Sequence, residues 1–173
     1  STGALLMSNR LLAKILSKAG ITNSQANAAA DGEIISGCLF LLKKKYQDQT
    51  YTKRQDVKFV VAKNLTTISR TMFHLCPKLE LTYMPNLERI EDGYFDQIEL
   101  KTYSCFGGTP ITSICFPKLR YVGKCTFQEC LKASLVDLPT CEEVSDFAFA
   151  RCPEIKILNL GKVRKIGIGA FTE

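Results

Sequence analysis

The sequence predicts an α+β repeat protein, a solenoid of short strands behind an N-terminal helical segment, on three observations. Five pairs set an aliphatic residue five places before a phenylalanine: Ile68/Phe73, Ile90/Phe95, Val122/Phe127, Val144/Phe149 and Ile166/Phe171. Those phenylalanines are spaced 22, 32, 22 and 22 residues apart, so one unit holds ten extra residues. Cys76, Cys130 and Cys152 each follow a repeat phenylalanine by three places, inside the same register. A period in the twenties marks a solenoid, whose short units bury their apolar faces only by stacking on one another.

Residues 1–64 read as a helical, basic N-terminal cap or subdomain. Leu11, Leu12, Ile15, Leu16 and Ala19 fall on one face at helical spacing and predict a helix over Asn9–Lys18. Gly20 suits its left-handed C-terminal stop. Thr22 with Gln25 three places on forms a capping box and opens a second predicted helix, Ser24 to about Tyr46, weakened by Gly32 and Gly37. Polar residues 47–56 predict a loop, and Val57–Ala62 a first short strand.

From Leu65 the repeats run as coils 65–86, 87–118, 119–140 and 141–162, with a partial one from Val163, about four and a half in all. The insertion is expected in the second coil, around Leu100–Gly108. A strand pattern with apolar residues at its first, fourth and sixth places recurs as Ile111-x-x-Ile114-x-Phe116, Ala133-x-x-Val136-x-Leu138 and Ile155-x-x-Leu158-x-Leu160; the first coil departs from it at Thr82. Pro85, Pro117 and Pro139 end the strands at one place, where no ladder N–H is required.

The stretch from Leu138 to Ile155, with Pro139, Val144, Ala148-Phe149 and Cys152, resembles the BspA-type leucine-rich repeat, and Ile166-Gly-Ile-Gly-Ala170-Phe171 resembles it again. The resemblance covers about residues 65–173 and implies a leucine-rich-repeat solenoid. One departure is Ile98, which stands where the second coil should have its cysteine. The resemblance also implies protein binding, adhesion, and a place on the surfaces of bacteria or protist parasites. No signal peptide is visible, since Ala4–Met7 is too short and uncharged. The array stops in mid-unit at Phe171-Thr-Glu without a polar cap. It is therefore expected to be either a fragment of a longer chain or covered at that end by another molecule.

Composition narrows the function classes. The longest apolar run, Ile34–Leu42, is far short of the ~20 residues of a spanning helix. Eight cysteines invite a disulfide reading, but their register predicts buried thiols, with Cys130 and Cys152 near enough on adjacent coils to bridge. There is no CxxC, and the one histidine leaves too few nitrogen ligands for a usual zinc site. A triad or dyad would have to use His74, which follows a core phenylalanine and is expected to turn outward. Glu91/Asp92 and Glu142/Glu143 are expected to face solvent, and the glycines match no phosphate loop. No catalytic residue, metal or cofactor is expected.

The candidate site is the strand face, concave in such repeats. Residues between the inward ones form three columns: Glu80, Thr112, Ser134, Lys156; Leu81, Ser113, Leu135, Ile157; and Tyr83, Cys115, Asp137, Asn159. Glu80, Leu81, Tyr83, Thr112, Ser113, Leu135, Asp137, Lys156, Ile157 and Asn159 are the predicted partner-binding set. The apolar middle column is either a protein-binding strip or core, since a one-residue slip exchanges a strand's faces. The alternative is nucleic-acid or acidic-partner binding through Lys43, Lys44, Lys45, Lys53 and Arg54. Residues 1–64 hold ten Lys/Arg against four Asp/Glu, whereas 65–173 hold thirteen of each. Leu11–Asp31 also resembles the opening helix-turn-helix of bacterial histone-like proteins, whose strands and basic arms do not follow.

Overall fold

A computed structural model describes residues 2–173, with the side chains of 9–173. Two helices, α1 (Thr2–Ala19) and α2 (Asn23–Ala28), precede short strands: β1 (Ile34–Ile35), β2 (Cys38–Phe40), β3 (Phe59–Val61), β4 (Thr67–Ile68), β5 (Leu81–Tyr83), β6 (Arg89–Ile90), β7 (Tyr94–Asp96) and β8 (Lys101–Tyr103). The remainder are β9 (Ser113–Cys115), β10 (Tyr121–Val122), β11 (Leu135–Asp137), β12 (Glu143–Val144), β13 (Ile157–Asn159) and β14 (Lys165–Ile166).

The helix ends follow local chemistry. Gly20 takes φ 67°, its N–H donates to the Ser17 carbonyl at 3.2 Å, and Ile21 N–H donates to that of Leu16 at 2.9 Å. These are the two bonds of a Schellman cap. Thr22 and Gln25 form the expected capping box, each side chain accepting from the other's N–H. The second helix, however, stops at Ala28 instead of running to about Tyr46. Residues 34–40 form a hairpin that pairs Ile35 with Cys38 across Ser36 and Gly37. Both turn residues have positive φ, 50° and 81°, as a two-residue hairpin turn requires. β-Branched Ile34 and Ile35 favour that pleated arrangement over a helix.

Each coil contributes to three walls. On the strand wall, β2, β3 and β5 pair in parallel, with Leu39, Val60 and Thr82 in register; β9, β11 and β13 do the same with Ile114, Val136 and Leu158. Thr112 N–H donates to the Glu80 carbonyl at 3.0 Å and joins the two runs. On the second wall β4, β6, β10, β12 and β14 stack Ile68, Ile90, Val122, Val144 and Ile166, the aliphatic column read from the sequence. The ladder also extends back before Leu65: β3 is the short strand expected at Val57–Ala62, and β2 adds a rung within the segment expected to be the second helix.

The third wall is a turn carrying one aromatic ring per coil: Tyr51, Phe73, Phe106, Phe127, Phe149 and Phe171. Successive rings stack with centroids 5.2–6.1 Å apart. Phe106 takes the second-coil position predicted for Phe95, which is 55% exposed. The extra residues leave the coil at Gly93, form the antiparallel hairpin β7–β8, and return at Ser104. A Cβ on Gly93 would collide with the Tyr103 and Lys124 carbonyls, so the exit point requires glycine. The insertion therefore precedes the aromatic turn of its coil, and Thr109, not Ile98, takes the place of the cysteine.

Candidate binding surfaces

The aromatic wall has a regular local chemistry. The second residue after each of five successive rings has left-handed backbone: Lys53, Leu75, Gly108, Glu129 and Arg151, with φ between 52° and 73°. That conformation turns alternate N–H groups toward the next coil. Phe127 N–H donates to the Ala148 carbonyl at 2.7 Å, and Glu129 N–H to that of Ala150 at 2.8 Å. The cysteine three places after a ring donates its thiol back to the preceding coil's ring residue. Cys76 reaches the Tyr51 carbonyl at 3.1 Å, Cys130 that of Phe106 at 3.2 Å, and Cys152 that of Phe127 at 3.0 Å. Those carbonyls lie inside the stack away from water, where an unpaired acceptor is costly. All eight cysteines are free thiols, and Cys152 alone is not fully buried.

This aromatic-x-x-cysteine turn is the core of one repeat class, and the comparison agrees: the sequence model for the BspA type leucine rich repeat region matches residues 44–101 and 99–173 in six copies. The chain belongs to the BspA-type leucine-rich repeat family. Comparison with curated proteins and with solved structures gives no match. Six copies agree with six stacked rings, and the match begins at residue 44, ahead of the Leu65 expected as the start of the repeats.

On the strand face of this BspA-type array, α1 covers the N-terminal half. Leu11, Ile15 and Leu16 form a second buried layer with Cys38, Phe40, Phe59, Val61, Leu81, Tyr83 and Cys115. Lys18 Nζ lies 2.6 Å from Glu80. This corrects the expected site at Leu81 and Tyr83, which are buried beneath the chain's own helix and are not presented to a partner. Neither open reading of the middle column holds throughout: Leu81 is covered, Ser113 and Leu135 are half-buried, and Ile157 is 61% exposed. Around them Thr112 and Asp137 are half-buried, and Lys156 and Asn159 exposed. Asn159 Nδ2 donates to Asp137 at 2.8 Å, continuing the column.

A second feature escaped the sequence reading. Between the β7–β8 hairpin and the aromatic wall lies a cleft of about 770 Å³. Leu75, Phe95, Leu100 and Phe147 line it and are all exposed. Tyr103 stacks on Tyr94 at 5.2 Å and packs over His74 at 5.1 Å, which fixes the hairpin against the coil. His74 is buried at the cleft's base, not turned outward, with Nδ1 3.1 Å from the Ser104 carbonyl oxygen. Burial chiefly pushes its pKa down, the Ser104 contact opposes this, and the charge of Lys53 adds to the depression. The one available signal was the ten-residue surplus itself, since long insertions on a rigid scaffold often carry function.

The basic residues differ in their partners and in the walls they occupy. Lys43 Nζ lies 3.7 Å from Asp31, Lys45 Nζ 3.4 Å from Glu91, and Arg54 makes two bonds to Asp56 at 2.9 and 2.8 Å. Lys44 and Lys53 have no ion pair among the described residues, and they sit on different walls. The Lys44 carbonyl accepts from Thr66 beside β4, whereas Lys53 N–H bonds to His74 on the aromatic wall. The carboxylate pairs are likewise engaged. Arg120 holds Glu142 at 3.0 Å and Lys165 holds Glu143 at 3.2 Å. Asp92 accepts from Tyr121 Oη at 2.6 Å and Lys124 N–H at 2.8 Å; burial raises its pKa, but these bonds outweigh that and lower it. Among the described residues no group of His, Cys, Asp and Glu is placed to hold a metal, and no helix is long and apolar enough to cross a membrane.

Proposed function

We propose that this chain is a non-enzymatic protein-binding module and that the uncovered C-terminal half of its strand face receives the partner. The observation that carries this is the docking of α1. The first half of the face already seats an amphipathic helix through Leu11, Ile15 and Leu16. The apolar column beneath that helix continues as Leu135, half-buried against the edge of the helix layer, and then as the exposed Ile157, rimmed by Lys156, Asp137 and Asn159. An apolar strip with a polar rim, continuous with a packed interface, suits a second amphipathic segment supplied by another protein.

The test is affinity capture with the folded chain as bait, alongside Leu135→Glu/Ile157→Glu and a charge reversal of Lys43, Lys44 and Lys45. Loss of the captured partner with the strand-face variant alone, at least tenfold or ~1.4 kcal/mol, is the expected result. Loss only with the lysine reversal would transfer the function to the basic segment as an acidic-partner or nucleic-acid site. Nucleic-acid binding would weaken steeply as salt is raised.

A further inference from the structure

We infer that the cleft between the β7–β8 hairpin and the aromatic wall is a second recognition site, separate from the strand face, and that it takes an extended peptide segment carrying both acidic and apolar side chains. Its lining runs from Lys53 on the coil of Tyr51, through Leu75, Gly108 and Glu129, to Arg151 on the coil of Phe149 and Thr172 beyond. Coils stack about 5 Å apart, so the cleft extends over roughly 25 Å, which an extended chain covers in about eight residues at ~3.3 Å each. That length, open along one side, fits a polymer better than a compact small molecule.

The lining chemistry defines the peptide. Leu75, Phe95, Leu100 and Phe147 expose apolar surface along the cleft, with Leu100 73% exposed on the hairpin tip. Exposed large apolar side chains gathered on one concavity mark an interaction site. Arg151 and Glu129 neutralise one another at 2.9 Å. Of the remaining charged lining residues, Lys53 and Lys101 are cations without an ion pair among the described residues, and Glu173 is the anion, so the balance favours an acidic occupant. Ser104, at the base, holds a buried hydroxyl with no hydrogen-bond partner, a polar group that the fold itself leaves unsatisfied.

The experiment is selection of a phage-displayed random dodecapeptide library on the intact chain, followed by binding of a synthetic enriched peptide. Enriched sequences are expected to pair Asp or Glu with aromatic or aliphatic residues. Lys53→Glu/Lys101→Glu and Phe95→Ser/Leu100→Ser should each weaken the peptide at least tenfold, whereas Ile157→Glu on the strand face should leave it unchanged. All four cleft side chains are exposed, and Glu129 already holds the left-handed position equivalent to Lys53, so both variants should fold, as checked by thermal melting. No enrichment of acidic apolar sequences would overturn the inference, as would binding that survives both cleft variants. So would selection of no peptide while dodecanoate displaces the fluorescent apolar anion anilinonaphthalene sulfonate from the wild-type chain, since the cleft would then be a small-amphiphile site.

Discussion

Phe106 stacks on Phe73 with ring centroids 5.5 Å apart and planes 16° from parallel, closing the aromatic ladder across the inserted hairpin. Phe95, eleven residues earlier, points outward. The two phenylalanines therefore differ sharply in what they hold together. Phe106→Ala should destabilise the chain by about 3–5 kcal/mol, because it removes a fully buried ring and leaves a cavity between two others. Phe95→Ala should change stability by no more than ~0.5 kcal/mol, as for an exposed position away from structural features. Urea unfolding of both variants checks the pair, and equal losses would refute the ladder assignment.

Thr82 offers a stabilising change. It occupies the inward column between Val60 and Ile114, and its buried hydroxyl has no hydrogen-bond partner. Thr82→Val keeps the shape, removes the unsatisfied oxygen and matches the neighbouring rungs. A gain of about 1 kcal/mol is expected, at the low end of the cost of a buried unpaired polar group. It should appear as a higher unfolding midpoint with an unchanged slope.

Thiol reactivity reports on α1. In the native chain Cys152, the least buried of the eight, should react first with iodoacetamide. Cys115 and Cys38 should lag, since burial pushes both thiols up to about 12 and thus suppresses the reactive thiolate. Ile15→Asp places a carboxylate in the layer between α1 and the strand wall and should release the helix. Mass spectrometry of the labelled variant should then find Cys115 and Cys38 modified early while Cys130, inside the coils, stays protected.

His74 should make stability depend on pH. Its folded pKa lies below the ordinary 6.5, so the unfolded chain binds the proton more readily. The histidine's contribution is then complete above about pH 6.5 and is lost as pH falls through the folded value. His74→Gln should flatten this part of the profile. Urea midpoints at about pH 7.5 and pH 5.5 for both proteins provide the measurement, and an identical drop in each would rule the histidine out.

Much of the architecture was legible in the residues. The 22-residue return of Ile68, Ile90, Val122, Val144 and Ile166 specified one wall of the coil, and the cysteine register specified buried thiols, because each repeat solves the same local packing problem. The Gly20 stop and the Thr22–Gln25 box depend on neighbours within a few places, so they too could be read directly. The candidate site was only partly legible. Asp137, Lys156, Ile157 and Asn159 lie where the strand pattern put them, yet nothing local to Leu81 or Tyr83 indicates that a helix more than sixty residues earlier lies on top.

The coil and its repeat follow from local residue patterns. Three further features depend on long-range packing: Ile34–Phe40 adds strands to the ladder, Phe106 displaces Phe95 from the ring stack, and α1 closes half of the strand face. In each case the local pattern allowed two outcomes of similar quality. An apolar segment satisfies helix or strand, Phe95 keeps the five-place spacing from Ile90 whereas Phe106 lies within one residue of the usual spacing to the strand that follows, and an apolar column serves as surface or core. Burial against residues distant in the chain chose between them, and that free energy is absent from any short window of sequence.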